Sequence, residues 1–407
     1  NTDREKNSFG QPEKISSSEG GLRNAWEILE TQFNKALEQR VNLNDVYAEL
    51  MSPPVGMKAG AIPVLLTAAL IARQDEIAIY EHGSFVPVLT PPISERMVRN
   101  PIHFDVKHFA NASGTRLQVL NQIANGLQIS TDLKTHRVSN VLSVVTAIVR
   151  TVGLLDNYTK RSAKLPERWT AVRDSLSQAV EPDVLVFESI PAALGLPSIK
   201  SGEDPYAHTD ELVAGLREAL TGLTNNFQDL LRKLTQALVE ASATSDAQEL
   251  AEDTSALDPE LIDAMAPDLR AFVYALDSNI GNSDTELMNH LATVVSLKNP
   301  AEWNDDEADR FQKIQLPEIC SRFRRTLALH HRNPSKDSLN VVLTRPDGSE
   351  DHRAIDLNDE QRKAANKAME KAVQDLKKLY GSRSQTLDGL LAAIAQDLLP
   401  PTTGSDS

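Results

Sequence analysis

The chain has 407 residues, of which 41% are hydrophobic, 24% charged and 5% aromatic, with a net charge of −15. That length accommodates two or three domains, each with its own core, and few aromatics beside abundant Leu and Ala favour helix-on-helix packing over sandwiches or barrels. The acidic balance excludes a global positive field for nucleic acid, and a single cysteine, Cys320, excludes an internal disulfide and any multi-cysteine metal site.

The first residues, NTDREKNSFGQPEK, are charged and polar and lack the apolar centre of a signal peptide. Residues 1–20 are predicted to be a disordered tail, and residues 21–110 a lead-in helix followed by a winged-helix domain. In the lead-in helix, Leu22, Trp26, Leu29, Phe33 and Leu37 recur at helical spacing. A short helix follows, lined by Val46, Leu50 and Met51 and capped by Asn44 or Asp45, and Pro53, Pro54 and Gly56 end it in a turn. A second helix covers 61–73, with Pro63 in its first turn, where a missing N–H does little harm. Strands at 76–80 and 84–89 pair around a His82-Gly83 turn, with Ile77 and Ile79 on one side. A helix over 93–99 and a last strand complete the outline of helix, turn, helix and hairpin.

Residues 111–205 are predicted to be a helical domain, with helices at 116–126, about 138–155 and 166–179, then short apolar pieces before a Gly-Pro linker. Residues 206–244 hold the longest helix, where Leu212, Leu216, Leu220, Leu223, Phe227, Leu230, Leu234 and Leu238 step by threes and fours, close to a coiled-coil seam. Such a stripe either packs along the helical domain or projects as an arm, which would offer a route to oligomers. Residues 245–300 are predicted to be an acidic linker (242–260) with helices at 259–276 and 284–297. Residues 301–400 form a C-terminal domain: a long helix with Phe311, Ile314, Ile319, Phe323 and Leu327 inward, a hairpin around Pro346-Asp347-Gly348, and helices at 359–380 and 386–399. Residues 401–407 are a second disordered tail. The fold class is therefore mainly α, a multi-domain helical chain with an embedded winged helix and a small C-terminal α+β hairpin unit. The apolar run 59–72 is too short to cross a bilayer, so no membrane segment is expected, and a single cysteine fits a reducing cytoplasm.

Catalytic signatures are missing. Gly56-Met57-Lys58-Ala59-Gly60 lacks the order and the preceding strand of a phosphate-binding loop. His103 and His108, or His330 and His331 with Asp347 and His352, have no metal-ligand spacing. Cys320 lies among apolar neighbours, as an inert buried thiol does. Asp347 with Glu350 resembles a nuclease pair, but the lysine wanted two residues on is His352. No catalytic residue, cofactor site or metal site is therefore assigned.

A DNA-reading second helix needs polar and basic residues on its outer face. Here only Thr67 and Arg73 reach outward, and the helix is expected to be buried on most sides against the helices of 115–155. A protein-binding winged helix is the reading preferred to DNA contact. Contact with DNA would run through phosphates, using Lys58, Arg96, Arg99 and Lys107, with Arg322, Arg324 and Arg325 as a second basic cluster.

MSPPVGMKAGAIPVLLTAAL followed by EIAIYEHGSFVPVL resembles a segment of very large bacterial phage-defence ATPases, the BREX-type ATPases and their relatives. LLDNYTKRSAKLPERWTAVRDSL, EPDVLVFESIPAALGL and VVLTRPDGSE extend the resemblance, which covers about residues 40–200 and 300–360 and rests on hydrophobic framework patterns. It implies a non-catalytic C-terminal part of a larger protein. The ATP-binding P-loop core would lie N-terminal to it, and its partners would be other defence-system proteins. No Walker motif occurs here, so no ATPase residue carries over. The expected function is an interaction or regulatory region contacting a partner protein or DNA; the alternative is a free-standing winged-helix DNA-binding regulator.

Overall fold

The expected stripe folds as helix α1 (Gly20–Lys35), with Leu29 and Phe33 fully buried, while Leu22 in its first turn and Leu37 in the turn beyond it are exposed. The computed structural model describes residues 2–3, 8–9, 20–129, 141–178, 181–330, 339–344, 350–355 and 359–380. The chain divides into two units, 1–230 with 300–308 and 231–299 with 309–407. Within the N-terminal stretch expected to lack structure, β1 (Thr2–Asp3) pairs with β2 (Ser8–Phe9).

In the first unit, β3 (Val41–Asn42) leads into α2 (Leu43–Met51). The cap is Asn42, two residues before Asn44 and three before Asp45: its side chain accepts from the Asn44 N–H. Gly56 sits at φ +56°, the left-handed region a glycine enters without a Cβ penalty, and its N–H donates to the Ser52 carbonyl. Next comes α3 (Ile62–Ala72), with Pro63 in its first turn. Then β4 (Ile77–Glu81) and β5 (Ser84–Val86) form a hairpin through His82 and Gly83, both at positive φ, as a two-residue type I′ turn demands. Helix α4 (Pro91–Arg99) and one 3₁₀ turn lead to β6 (Phe104–His108). The four-stranded antiparallel sheet has the order β3-β6-β4-β5. This is a winged-helix arrangement in which β5 and α4 are inserted between the two strands that normally form the wing.

Strand β4 is buried on both faces. Ile77 and Ile79 join Leu43, Leu50, Leu66, Met97 and Phe104 in the winged-helix core, while Ala78 and Tyr80 meet Phe109 and Leu142 on the opposite face. Helix α3 packs into that first core, among α1, α2 and the sheet, rather than against residues 115–155. It is β4 that reaches the helical layer, through Leu142.

That layer comprises α5 (Gly114–Gly126), α6 (Val141–Gly153), α7 (Asn157–Arg161), α8 (Glu167–Ser177), and a run of α9 (Pro182–Val184), a π-turn (Leu185–Ser189) and α10 (Ile190–Ala193). The short apolar pieces expected at 180–199 are thus one helical run from Pro182 to Ala193. Pro191 has no N–H to donate back to Phe187, and the Phe187 carbonyl instead accepts from the Ile199 N–H at 2.7 Å. The first part of α11 (Thr209–Ser242) completes this layer. Val144, Ile148, Val186, Phe187, Leu216 and Leu223 share its core, and burying each such side chain stabilises the fold by roughly 1.5–3 kcal/mol.

The second unit holds the last part of α11, then α12 (Ala247–Ser255), α13 (Pro259–Ala264), α14 (Pro267–Asp277) and α15 (Asp284–Ser296). The expected acidic linker (242–260) therefore carries a helix, α12, at its centre. The Asp246 side chain caps α12 by accepting from the Glu249 N–H. Pro267 divides the helix expected over 259–276 into α13 and α14. Helix α16 (Asp305–Arg310), a second π-turn (Phe311–Gln315) and α17 (Leu316–His330) follow. Ile314, expected inward, is 57% exposed: the wider turn adds a residue, and the inward pair becomes Phe311 and Leu316, five apart. The chain continues with β7 (Leu339–Thr344), β8 (Glu350–Ile355) and α18 (Asp359–Tyr380). The Pro346-Asp347-Gly348 turn, the helix expected at 386–399 and the 401–407 tail lie outside the described residues.

Candidate functional site

The helix that reads bases in DNA-binding winged helices is here α3, and it has little with which to read. Val64 is 74% exposed, and Pro63, Leu65, Ala68 and Ile71 are half-buried around it. Its one adjoining cation, Arg73, is committed to Glu30 at 2.5 Å and to Glu76 at 3.5 Å. Base edges in the major groove are read by donors and acceptors, and of these only Thr67 remains on the helix.

The seven cations picked out in the sequence are distributed over both units. Lys58 is exposed in the α2–α3 turn. Arg96 forms a two-pronged pair with Glu81, at 2.6 and 2.8 Å, and this guanidinium holds the Glu81 carboxyl below its usual range. Arg99 pairs with Glu95 at 2.5 Å on the α4 surface. Lys107 points at the outer face of the sheet, where it donates to Glu181 at 2.8 Å. In the second unit Arg322 is bidentate to Asp268 and lowers its pKa, Arg324 is exposed and Arg325 half-buried. Most of these charges are neutralised by carboxylates of the same chain, which leaves little uncompensated positive surface for phosphates.

The principal polar cluster was not foreseen in the sequence. Glu181, just before α9, accepts from Arg40 at 2.5 and 3.1 Å, from Lys107 at 2.8 Å and from the Tyr80 hydroxyl at 3.1 Å. Arg40 also donates to the Gly83 carbonyl at 3.1 Å, and its guanidinium carbon lies 3.6 Å over the Tyr80 ring. Burial alone would raise the Glu181 pKa, but the hydrogen bonds from Lys107 and Arg40 outweigh it and hold the carboxyl below its ordinary value. Burial, followed by the adjacent Glu181 charge, drives the Tyr80 hydroxyl far above the usual phenol range. The cluster closes the outer face of the wing against the helical layer. Its donors are taken up by the Glu181 carboxylate and the Gly83 carbonyl, which suits a fastener better than a reaction centre.

On the helix-turn-helix side lies an open groove of about 720 Å³, lined by Tyr47, Ala48 and Met51 of α2, Pro63 of α3, and Val98 and Pro101 beyond them. Its walls are mainly apolar, and Met51 and Val98 are 47% and 43% exposed. Its only sequence signal was Met51, which was expected to line the helix inward. Cys320 is buried in α17, and burial pushes its thiol up to about 12, far from a reactive thiolate at neutral pH. Among the described residues no three His, Cys, Asp or Glu side chains gather where a metal ion would be held, and no helix is long and apolar enough to cross a membrane.

Comparison with family models, with curated proteins and with solved structures finds no match.

Proposed function

We propose that this chain is the non-catalytic interaction and regulatory region of a bacterial ATP-dependent phage-defence protein of the BREX type, and that its winged-helix domain contacts protein rather than DNA. ATP would be bound elsewhere in the parent protein, and the partners would be other components of the same cytoplasmic system. The observation that carries the protein-contacting part is α3, whose exposed surface is built around Val64 and whose adjoining Arg73 is already paired. Two further features support it. The outer face of the wing is closed by Glu181 and its donors, and an apolar groove lies open beside α3. The assignment to phage defence rests on the sequence resemblance alone.

Fluorescence anisotropy of the full chain with a labelled DNA duplex, over about 50 to 200 mM salt, tests the reading. Weak binding that is indifferent to K58E, R96E and R99E is the expected result. Tight binding with a steep salt slope, lost in those variants, would instead establish a DNA-binding regulator.

A further inference from the structure

We propose that His82 and His103 form a metal-binding pair at the tip of the β4–β5 hairpin, which takes one divalent transition-metal ion of the zinc, copper or nickel class. The β4–β6 register pairs Glu81 with Phe104, so one step further His82 stands opposite His103. The His82 N–H donates to the His103 carbonyl at 2.8 Å and fixes that pairing. Residues directly opposite in an antiparallel ladder put their side chains on the same face, and the two imidazole centroids lie 4.4 Å apart. Two imidazoles that share one zinc ion at about 2.0–2.1 Å have their centroids roughly 4.5–5 Å apart. Both residues are exposed, so small side-chain rotations suffice to aim a nitrogen of each ring at one ion.

The residue chosen at the turn points the same way. His82 holds φ +52° ahead of Gly83 at φ +82°, and the first place in such a two-residue turn ordinarily goes to Asn, Asp or Gly. Histidine tolerates that conformation and brings a ligating ring that none of the three has. The donor set then selects the ion. Imidazole nitrogens suit zinc, copper and nickel, whereas magnesium and calcium take oxygen ligands. Glu81, the residue before His82, is engaged by Arg96 at 2.6 and 2.8 Å, which leaves the remaining coordination positions to water. The spacing of histidines along the sequence gives no sign of this pair, because the sheet register alone brings the two rings together.

A bound ion would pin the hairpin tip to the start of β6, whatever partner the domain contacts, so the pair stands apart from the protein-contacting reading. Titration calorimetry of the full chain with zinc chloride should show a site whose affinity falls by about tenfold or more in H82N and in H103N. Asn keeps the left-handed turn at position 82, and unfolding midpoints without zinc show that each variant folds. Because both rings hold one ion, the double variant should bind no more weakly than either single one. With copper(II) in place of zinc, the nitrogen hyperfine pattern in electron paramagnetic resonance should change in both single variants. Zinc uptake that is absent, or that is unchanged in H82N and H103N, would overturn the proposal. Losses that simply add in the double variant would overturn it too, since they would mean two separate ions.

Discussion

Two carboxylate–arginine contacts in this chain look alike on paper and differ in their surroundings. Glu181 and Arg40 are each 26% exposed, and the same carboxylate also binds Lys107 and the fully buried Tyr80. Asp268 and Arg322, on the second unit, are 54% and 39% exposed. Water screens the second pair and competes for its hydrogen bonds, so its net contribution is small. Around Glu181 the partners have already lost much of their hydration, and removal of the carboxylate strands two cations and a buried hydroxyl. An ion pair's contribution here is set by what would be left unsatisfied without it, more than by its length.

The contrast is open to direct tests. Glu181→Ala should cost about 2–4 kcal/mol of stability in urea unfolding, with loss of amide protection in β4 and β5 ahead of α14. A change as small as that of a surface pair would show that the layers of the first unit are held by packing alone. Acid gives a finer reading. Because the folded pKa of Glu181 is depressed, its contribution is present above its ordinary value near 4.5 and is lost as the pH falls through the lower folded value. Unfolding free energy should therefore decline more steeply with acid below about pH 4.5 in the native chain than in E181Q. An identical slope in both would remove Glu181 from the account. Smallest of all, a double-mutant cycle on Asp268 and Arg322 should give a coupling below about 1 kcal/mol, which added salt reduces.

Much of the winged-helix domain was legible because its punctuation is local. Pro53, Pro54 and Gly56 end one helix, Pro63 suits the first turn of the next, and His82-Gly83 can adopt only a few turns, so each residue carries its own instruction. The leucine ladder of α11 was equally plain, but its spacing left open whether it would pack within the chain, and the structure buries it. What escaped was of two kinds. One is helical phase: the π-turns before Pro191 and Pro317 break the 3.6-residue period, so that Leu185 pairs inward with Ile190, and Phe311 with Leu316, at a spacing of five. A reading that assumes steps of three and four turns Ile314 the wrong way. The other is distance. Arg40 and Glu181 meet across 141 residues, and no local pattern announces such a partner. The cap of α12 lies between these cases: Asp246 with Glu249 three residues on was a helix-start signal, hidden in a stretch whose acidity suggested a linker.

Cys320 has a practical consequence. It is the one thiol in the sequence, and it is enclosed in α17 with 1% exposure. A thiol-specific reagent added to the native chain therefore has a single address, reached only when the helices around Phe272 and Phe323 part. Its rate of labelling counts those openings and is silent about the wing, so the breathing of one half of the molecule can be timed without any engineered probe.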